Sequence, residues 1–95
     1  KYDNEKPGIG FLMKSFPNAL RSVAKQNDHG AKKYSPLNWK NVDIERYENA
    51  AGRHLIQALE NPDSLDESGE DHLAAVAWNC LALMELKIEN NKTNK

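Results

Sequence analysis

The 95-residue sequence predicts an all-α protein: a small bundle of three main helices behind an extended N-terminal segment, with a core completed by oligomerisation. Apolar residues recur three and four positions apart along the second half of the chain, as on one face of a helix. No run of alternating polar and apolar residues favours a β-strand. A chain of this length forms one domain, which we place at residues 1–88, and a polar tail at residues 89–95 is expected to fray.

The first helix is predicted to follow a loop-like start. The first ten residues carry one proline and two glycines, which favour an extended segment. The helix begins near Ser15 and Pro17, because proline is well tolerated in a first helical turn. Two ends are compatible with the pattern, either near Gly30 or after continuation through Lys33.

The second helix is predicted from residue 44 to residue 59. A loop over residues 34–42 precedes it, because Pro36 disfavours helical backbone in the residue before it. Asp43 is a suitable N-cap. The apolar face then follows helical spacing through Ile44, Tyr47, Ala51, Leu55, Ala58 and Leu59.

The third helix is predicted over residues 70–88, after an acidic loop over residues 60–69. Ser68 and Asp71 resemble a capping box at its start. The helix is apolar nearly all round, with a broad face made of Leu73, Val76, Ala77, Cys80, Leu81, Met84 and Ile88, and with Trp78 on the other side. Such a helix needs burial on more than one side, either within a tight bundle or between subunits. We expect a homo-oligomer.

Composition excludes several classes of protein. The net charge of −1 gives no reason to expect general nucleic-acid binding. The single cysteine, Cys80, excludes a disulfide scaffold within the chain and a cysteine-based zinc site, and it favours a reducing, cytosolic compartment. The longest apolar stretch, residues 73–84, is shorter than the ~20 residues of a membrane span, so no membrane contact is expected.

Two pairs of residues on the second helix suggest ligand binding. Arg46 and Arg53 are seven residues apart, as are Tyr47 and His54, so the four side chains lie on one side of the helix. Arginine offers paired donors to phosphate, and an aromatic ring offers a stacking surface for a base. The alternative is a solvated arginine pair beside a histidine that hydrogen bonds within the fold.

His72 and Asn79 are also seven residues apart, on the third helix. Asn79 lies within an otherwise apolar run, where a buried amide without partners costs ~1–3 kcal/mol. His54 and His72 lie on consecutive helices and can face each other. Such a pair either binds a metal ion together with carboxylates, hydrogen bonds to a ligand, or fixes the register of the helices.

Carboxylates suggest a Mg²⁺ site. Glu45 and Glu48 form an E-x-x-E pair on the second helix, and Glu67, Glu70 and Asp71 cluster near the start of the third. Two facing acidic pairs, Glu45 with Glu48 and Glu67 with Asp71, can hold Mg²⁺ through oxygen ligands and so activate water. The alternative is a solvated acidic face.

A basic and aromatic loop lies between the first two helices. Lys32, Lys33 and Lys40 can meet phosphates, while Tyr34 and Trp39 can stack on a base, with Asn38 beside them. The alternative is that the two rings cover the core and the lysines are solvated.

The short motifs described above, together with others along the chain, occur in the order found in a known protein family. The matching positions are Lys1, Tyr2, Asp3, Lys6, Pro7, Gly30, Ala31, Lys32, Lys33, Tyr34, Asn38, Trp39, Arg46, Tyr47, Arg53, His54, Glu67, Ser68, Gly69, His72 and Asn79. On these residues the sequence resembles the small phage and prophage dATP/dGTP diphosphohydrolase domain family, over residues 1 to about 86.

The resemblance implies an all-α fold and a nucleotide ligand in the cytoplasm of an infected bacterium. It further implies Mg²⁺-assisted cleavage of a purine deoxynucleoside triphosphate into a monophosphate and pyrophosphate. The catalytic candidates are Glu67, His54 and His72. The ligand-binding candidates are Lys33, Tyr34, Asn38, Trp39, Arg46, Arg53, His54, His72 and Asn79. Of these, Lys33, Arg46 and Arg53 are expected to contact phosphates.

A second hypothesis is a non-catalytic nucleotide sponge without a metal cofactor. The chain has Asn49 and Ala75 where the family often has an acid and a second histidine. A binder would sequester a host immune signalling nucleotide, such as a cyclic nucleotide or an ADP-ribose derivative. A third hypothesis is an interaction protein that uses Trp78 as a contact.

Overall fold

The computed structural model describes residues 6–93, apart from the side chains of Tyr34 and Thr93. Within this range the elements are α1 (Ile9–Ser15), α2 (Pro17–Tyr34), a 3-10 turn (Asn38–Asn41), α3 (Ile44–Glu60) and α4 (His72–Thr93). No strand forms in the described part of the chain, where a single bridge joins Leu65 and Asp71. The all-α prediction is confirmed.

A short helix, α1, forms where an extended segment was predicted. Residues 1–5 lie outside the described range, and helical backbone begins at Ile9. Leu12 N–H donates to the Gly8 carbonyl at 3.0 Å, so Pro7 and Gly8 precede a helix rather than keep the chain extended. Proline at position 17 then disfavours helix at Phe16, whose φ of −132° separates α1 from α2.

Helix α2 runs through Gly30 to Tyr34, which decides between the two predicted ends. The chain then turns sharply at Ser35 and Leu37, whose φ values of 72° and 66° are uncommon for residues with a Cβ. This turn places Trp39, in the 3-10 turn, against α4.

Helices α3 and α4 form an antiparallel hairpin at the centre of the molecule. Tyr47 near the start of α3 packs with Ala82 and Leu86 near the end of α4. Buried alanines elsewhere in the hairpin, at positions 58, 74 and 75, allow the two backbones to approach closely. Helix α3 begins after Asp43 as predicted and ends one residue later than predicted, at Glu60.

The start of α4 differs from the prediction. The helix begins at His72, and Asp71 is the residue that caps it, with Oδ1 accepting the Leu73 N–H at 2.8 Å. Ser68 belongs instead to the preceding turn, where its hydroxyl donates to Asp66 Oδ1. The turn closes through a backbone hydrogen bond from Asp66 to Glu70, and Gly69 adopts a φ of +85° that favours glycine.

The end of α4 also differs, because the helix continues past Ile88 to Thr93. An ion pair between Lys40 and Glu89, 3.2 Å long, ties this last part of the helix to the 3-10 turn. Residues 94 and 95 lie outside the described range. Among the helices described, none is both long and apolar enough to cross a membrane.

Candidate functional site

A cavity of about 360 Å³ opens between α2, the 3-10 turn, α3 and α4. We call it the aromatic groove. The side chains that matter in its wall are Gln26, Asn27 and Lys33 of α2, Trp39, Arg46, Tyr47 and Arg53, Glu67, and Trp78 and Asn79 of α4. Its volume lies in the range of small-molecule sites.

Three aromatic rings form one side of the aromatic groove. The Trp39 and Trp78 rings meet edge to face with centroids 5.9 Å apart, and the Tyr47 and Trp78 rings do so at 5.7 Å. The buried Tyr47 hydroxyl donates to the Trp39 carbonyl at 2.5 Å. The indole N–H of Trp78 donates to Asn27 Oδ1 at 2.8 Å. These hydrogen bonds hold the Tyr47 and Trp78 rings in place, and Trp39 packs edge to face against Trp78, so the apolar surface is preorganised.

Three cationic side chains also line the aromatic groove. Lys33 Nζ lies 3.3 Å from Glu67 Oε1, and His29 Nε2 lies 3.8 Å from the same oxygen. Arg46 and Arg53 are exposed, and neither forms an ion pair with any residue of the described range. The groove therefore carries two guanidinium groups whose charges the fold leaves available to an anion.

A second cavity, of about 640 Å³, adjoins the first and shares Gln26, Arg53 and Glu67 with it. We call it the histidine groove, because His54 and His72 line it together with Gln57, Glu60, Asn61, Ser64, Leu65 and Asp66. Arg53 and Glu67 lie on the boundary between the two grooves, so a ligand that contacts Arg53 can reach either side.

His54 and His72 form a hydrogen-bonded pair, with their Nδ1 atoms 2.8 Å apart. One Nδ1 must donate and the other accept, so the two rings cannot both be protonated without breaking this bond. Burial lowers the pKa of His54, and the neighbouring His72 lowers it further, while Asp66 acts in the opposite direction. His72 itself is 6% exposed. His54 on α3 and His72 at the start of α4 therefore face each other, as the sequence predicts.

Asp66 is a site residue that sequence analysis did not identify. Its Oδ1 accepts hydrogen bonds from the Ser68 hydroxyl and the Ser68 and Glu70 amides. Burial alone would raise the pKa of Asp66, but these donors outweigh burial and hold the pKa below its usual value. Its Oδ2 is buried and has no hydrogen-bond partner in the described structure. Asp66 is thus an ionised carboxylate beside the histidine pair.

The four predicted metal ligands are not brought together. Glu45 and Glu48 are exposed on α3 and line neither groove, Asp71 caps α4, and only Glu67 faces the grooves. Among the residues that the structure describes, no three histidine, cysteine, aspartate or glutamate side chains are placed to hold one metal ion. This donor set does not fit the oxygen-rich shell that Mg²⁺ requires.

Most predicted ligand contacts do line a groove. Lys33, Trp39, Arg46, Arg53 and Asn79 line the aromatic groove, and His54 and His72 line the histidine groove. Asn38 lines neither groove; its Oδ1 accepts from Asn41 within the 3-10 turn. The side chain of Tyr34 lies outside the described part of the structure.

Sequence analysis did not predict that Trp78 and Asn27 belong to the aromatic groove. Trp78 was considered only as a contact for a partner, and Asn27 was not singled out. The two are 51 positions apart, and their hydrogen bond forms only when α2 packs on α4. No local spacing signals such a pair.

Comparison with known proteins points to one family. The sequence model of the family described as "dATP/dGTP diphosphohydrolase, N-terminal" matches residues 1–95. A curated protein of Salmonella phage PMBT28, named "dATP/dGTP diphosphohydrolase", is 31% identical over 77 residues. That stretch covers 81% of this chain and 26% of the phage protein, so the chain spans about a quarter of its relative's length. No solved structure matches the chain.

Proposed function

We propose that this chain, which belongs to the dATP/dGTP diphosphohydrolase N-terminal family, binds a purine deoxynucleoside triphosphate in the aromatic groove. The observation that carries the proposal is one cavity lined by a fixed cluster of aromatic rings and by Arg46 and Arg53, which have no ion-pair partner within the described residues. A nucleotide has the matching parts, a flat apolar base and an anionic phosphate chain.

The phosphates are placed at Arg46 and Arg53. The two residues lie seven positions apart on α3, so their guanidinium groups can contact successive phosphates. Lys33 adds a third cation, whose present partner is Glu67 at 3.3 Å. Triphosphate oxygens can compete for Lys33 because exposed ion pairs are worth little in water.

The base is placed against the aromatic rings. Trp39 lines the groove and is half-buried. Trp78 packs edge to face against Trp39, and Tyr47 packs edge to face against Trp78. Stacking of a base on such a ring contributes ~1–3 kcal/mol. Tyr47 and Trp78 need little rearrangement on binding, because hydrogen bonds to the Trp39 carbonyl and to Asn27 already fix their rings.

The chemistry proposed for the bound nucleotide is hydrolysis between the α and β phosphates, which gives a monophosphate and pyrophosphate. His54, His72 and Glu67 are the candidate proton acceptors for the attacking water. The lowered pKa of His54, caused first by burial, keeps that ring neutral near pH 7 and so able to accept a proton. A Mg²⁺ requirement is a prediction from the resemblance alone, and no step is assigned to the ion, since no three of the described histidine, cysteine, aspartate or glutamate side chains are placed to hold it.

The test compares Arg53→Ala with the wild-type chain against a panel of nucleoside triphosphates and signalling nucleotides. We expect Arg53→Ala to weaken nucleotide binding about tenfold or more, because a charge-assisted contact of roughly 1.5–3 kcal/mol is lost. Arg21→Ala is the matched control. Arg21 donates to Asn18 on the surface of α2 and lines neither groove.

The same incubations, with Mg²⁺ and with EDTA, distinguish an enzyme from a sponge. Conversion to monophosphate and pyrophosphate supports the diphosphohydrolase, whereas depletion of a nucleotide that is recovered intact after heat denaturation supports the sponge. Equal binding by Arg53→Ala and Arg21→Ala would show that the ligand does not occupy the aromatic groove.

A further inference from the structure

We infer that His29 and Lys33 of α2 form an anion subsite in the aromatic groove, and that the carboxylate of Glu67 occupies this subsite when no ligand is bound. The inference rests on the proposed function, because it takes the phosphate chain of the nucleotide as the anion that replaces Glu67. It adds His29 to the binding residues and makes Glu67 an internal competitor of the ligand.

Two side chains of α2 converge on one oxygen of Glu67. Lys33 Nζ lies 3.3 Å from Glu67 Oε1, and His29 Nε2 lies 3.8 Å from the same atom. The two α2 residues are four positions apart, so they share one face of the helix, and both line the aromatic groove. An anionic oxygen at this point is therefore within ion-pair distance of both nitrogens. Because carboxylate and phosphate oxygens accept from the same donors, a phosphate can take the place of Glu67.

Hydrogen bonds hold the turn that carries Glu67 against α2. Asp66 Oδ1 accepts from the Ser68 amide at 2.8 Å, and the Asp66 amide donates to the Glu70 carbonyl at 2.9 Å. The Ser68 hydroxyl lies 2.7 Å from Oε1 of Gln26, on the face of α2 that carries the anion subsite. The backbone of the turn thus places the Glu67 side chain at the subsite.

The Glu67 side chain can leave the subsite although its backbone is held. It is 69% exposed, so its carboxylate can turn into water without opening the core. Exposed ion pairs contribute little to stability, and Arg53, which lines the groove with Glu67, gives an arriving triphosphate a further cation. Glu67 therefore lowers the affinity for anions in two ways. It has to be displaced from its partners, and its charge repels the phosphates.

The test measures binding of a dATP analogue with a methylene group between the α and β phosphates, which cannot be cleaved there. In calorimetry, Glu67→Gln is expected to bind this analogue about two- to fivefold more tightly than the wild-type chain, because the competing charge is removed. If Glu67 only held the turn against α2, its replacement would leave the affinity unchanged or lower it.

Glu70→Gln is the matched control for Glu67→Gln. Glu70 belongs to the same turn and also pairs with a cation of α2, Lys25, at 3.8 Å, but neither residue of this pair lines a groove. Its replacement removes the same charge and should leave the affinity for the analogue unchanged.

His29→Ala tests the added binding residue. It should weaken binding of the analogue about threefold or more, because a donor to the phosphates is lost. Lys25→Ala, which removes a cation of α2 outside both grooves, is its control and should bind as the wild-type chain does. In the His29→Ala background, Glu67→Gln should bring a smaller gain, since Glu67 then competes for one partner fewer.

Inorganic triphosphate, which has no base, separates this inference from the proposed function. Glu67→Gln should bind it more tightly than the wild-type chain, and His29→Ala more weakly. If Glu67→Gln and Glu70→Gln bind the dATP analogue equally while Arg53→Ala still weakens binding, the anion subsite is refuted and the nucleotide site stands. If inorganic triphosphate binds as expected and no nucleotide binds, the proposed function fails and the subsite stands. If neither binds, both fail.

Discussion

The hydrogen bond between His54 and His72 links the protonation of the histidine groove to the stability of the fold. Its Nδ1 atoms are 2.8 Å apart, and they join α3 to the start of α4. Burial and the neighbouring His72 lower the pKa of His54 below 6.5, since a charged ring is poorly solvated there. The unfolded chain therefore binds a proton at His54 more readily than the folded chain does.

This difference predicts that acid destabilises the protein first through His54. A histidine whose folded pKa is lowered contributes stability that is fully present above pH 6.5 and is lost as the pH falls below that value. We expect the free energy of unfolding in urea to decrease between about pH 7.5 and about pH 5.5. In His54→Gln, the decrease should be smaller, because one of the paired groups no longer titrates.

His29→Gln is the control for this experiment, since His29 lies on α2 outside the pair. A His54→Gln variant that loses as much stability as the wild-type chain over this pH range would contradict the linkage. Protonation of Asp66 does not contribute to the loss of stability in this pH range. Because its pKa is lowered, the stability that Asp66 contributes is lost only below pH 3.8.

At the scale of single elements, the N-terminus of α4 depends on one carboxylate. Asp71 Oδ1 accepts the Leu73 N–H at 2.8 Å, which satisfies a backbone donor that the first helical turn leaves unpaired. Asp43 occupies the equivalent position before α3, but its side chain makes no capping hydrogen bond. The two aspartates form a matched pair of sites that differ in this contact.

We therefore predict that Asp71→Ala destabilises the protein by ~1 kcal/mol, within the usual range for a lost N-cap. Asp43→Ala should cost measurably less, because no side-chain hydrogen bond is removed. Thermal or urea unfolding of the two variants measures the difference. Equal losses would mean that Asp71 stabilises α4 through its charge near the helix dipole, not through its hydrogen bond.

The elements also show what a sequence of this kind can and cannot predict. The start of α3 and the i, i+7 placement of Arg46 and Arg53 follow from local periodicity, and both are found as predicted. The start of α4 was misplaced because Ser68 has a competing partner, Asp66, two positions away. The pairing of Asn27 with Trp78 depends on how α2 packs against α4, which no local pattern encodes.

At the scale of the whole molecule, much of the apolar surface has no partner within the described residues. Phe11 and Leu59 are 78% and 73% exposed, and among the described side chains no large one is fully buried. On α4, a stripe of exposed apolar side chains runs along the helix through Leu73, Leu81, Met84 and Ile88. Exposed apolar patches of this extent are uncommon on monomeric proteins and mark contact surfaces.

The stripe on α4 predicts self-association of this chain in solution. A stable interface needs ~800 Å² from each partner, and apolar side chains on α4 and α3 lie where a second copy could cover them. Sedimentation should therefore show a mass at least twice that of the 10.7 kDa chain. The double variant Leu81→Glu, Met84→Glu should return it to the monomer mass, because carboxylates would have to be desolvated at the contact. Asn90→Glu introduces a similar charge on α4 away from the stripe and should leave the mass unchanged. A wild-type chain that sediments as a monomer at every concentration would refute the self-association, and the α4 stripe would then not be a contact between two copies of this chain.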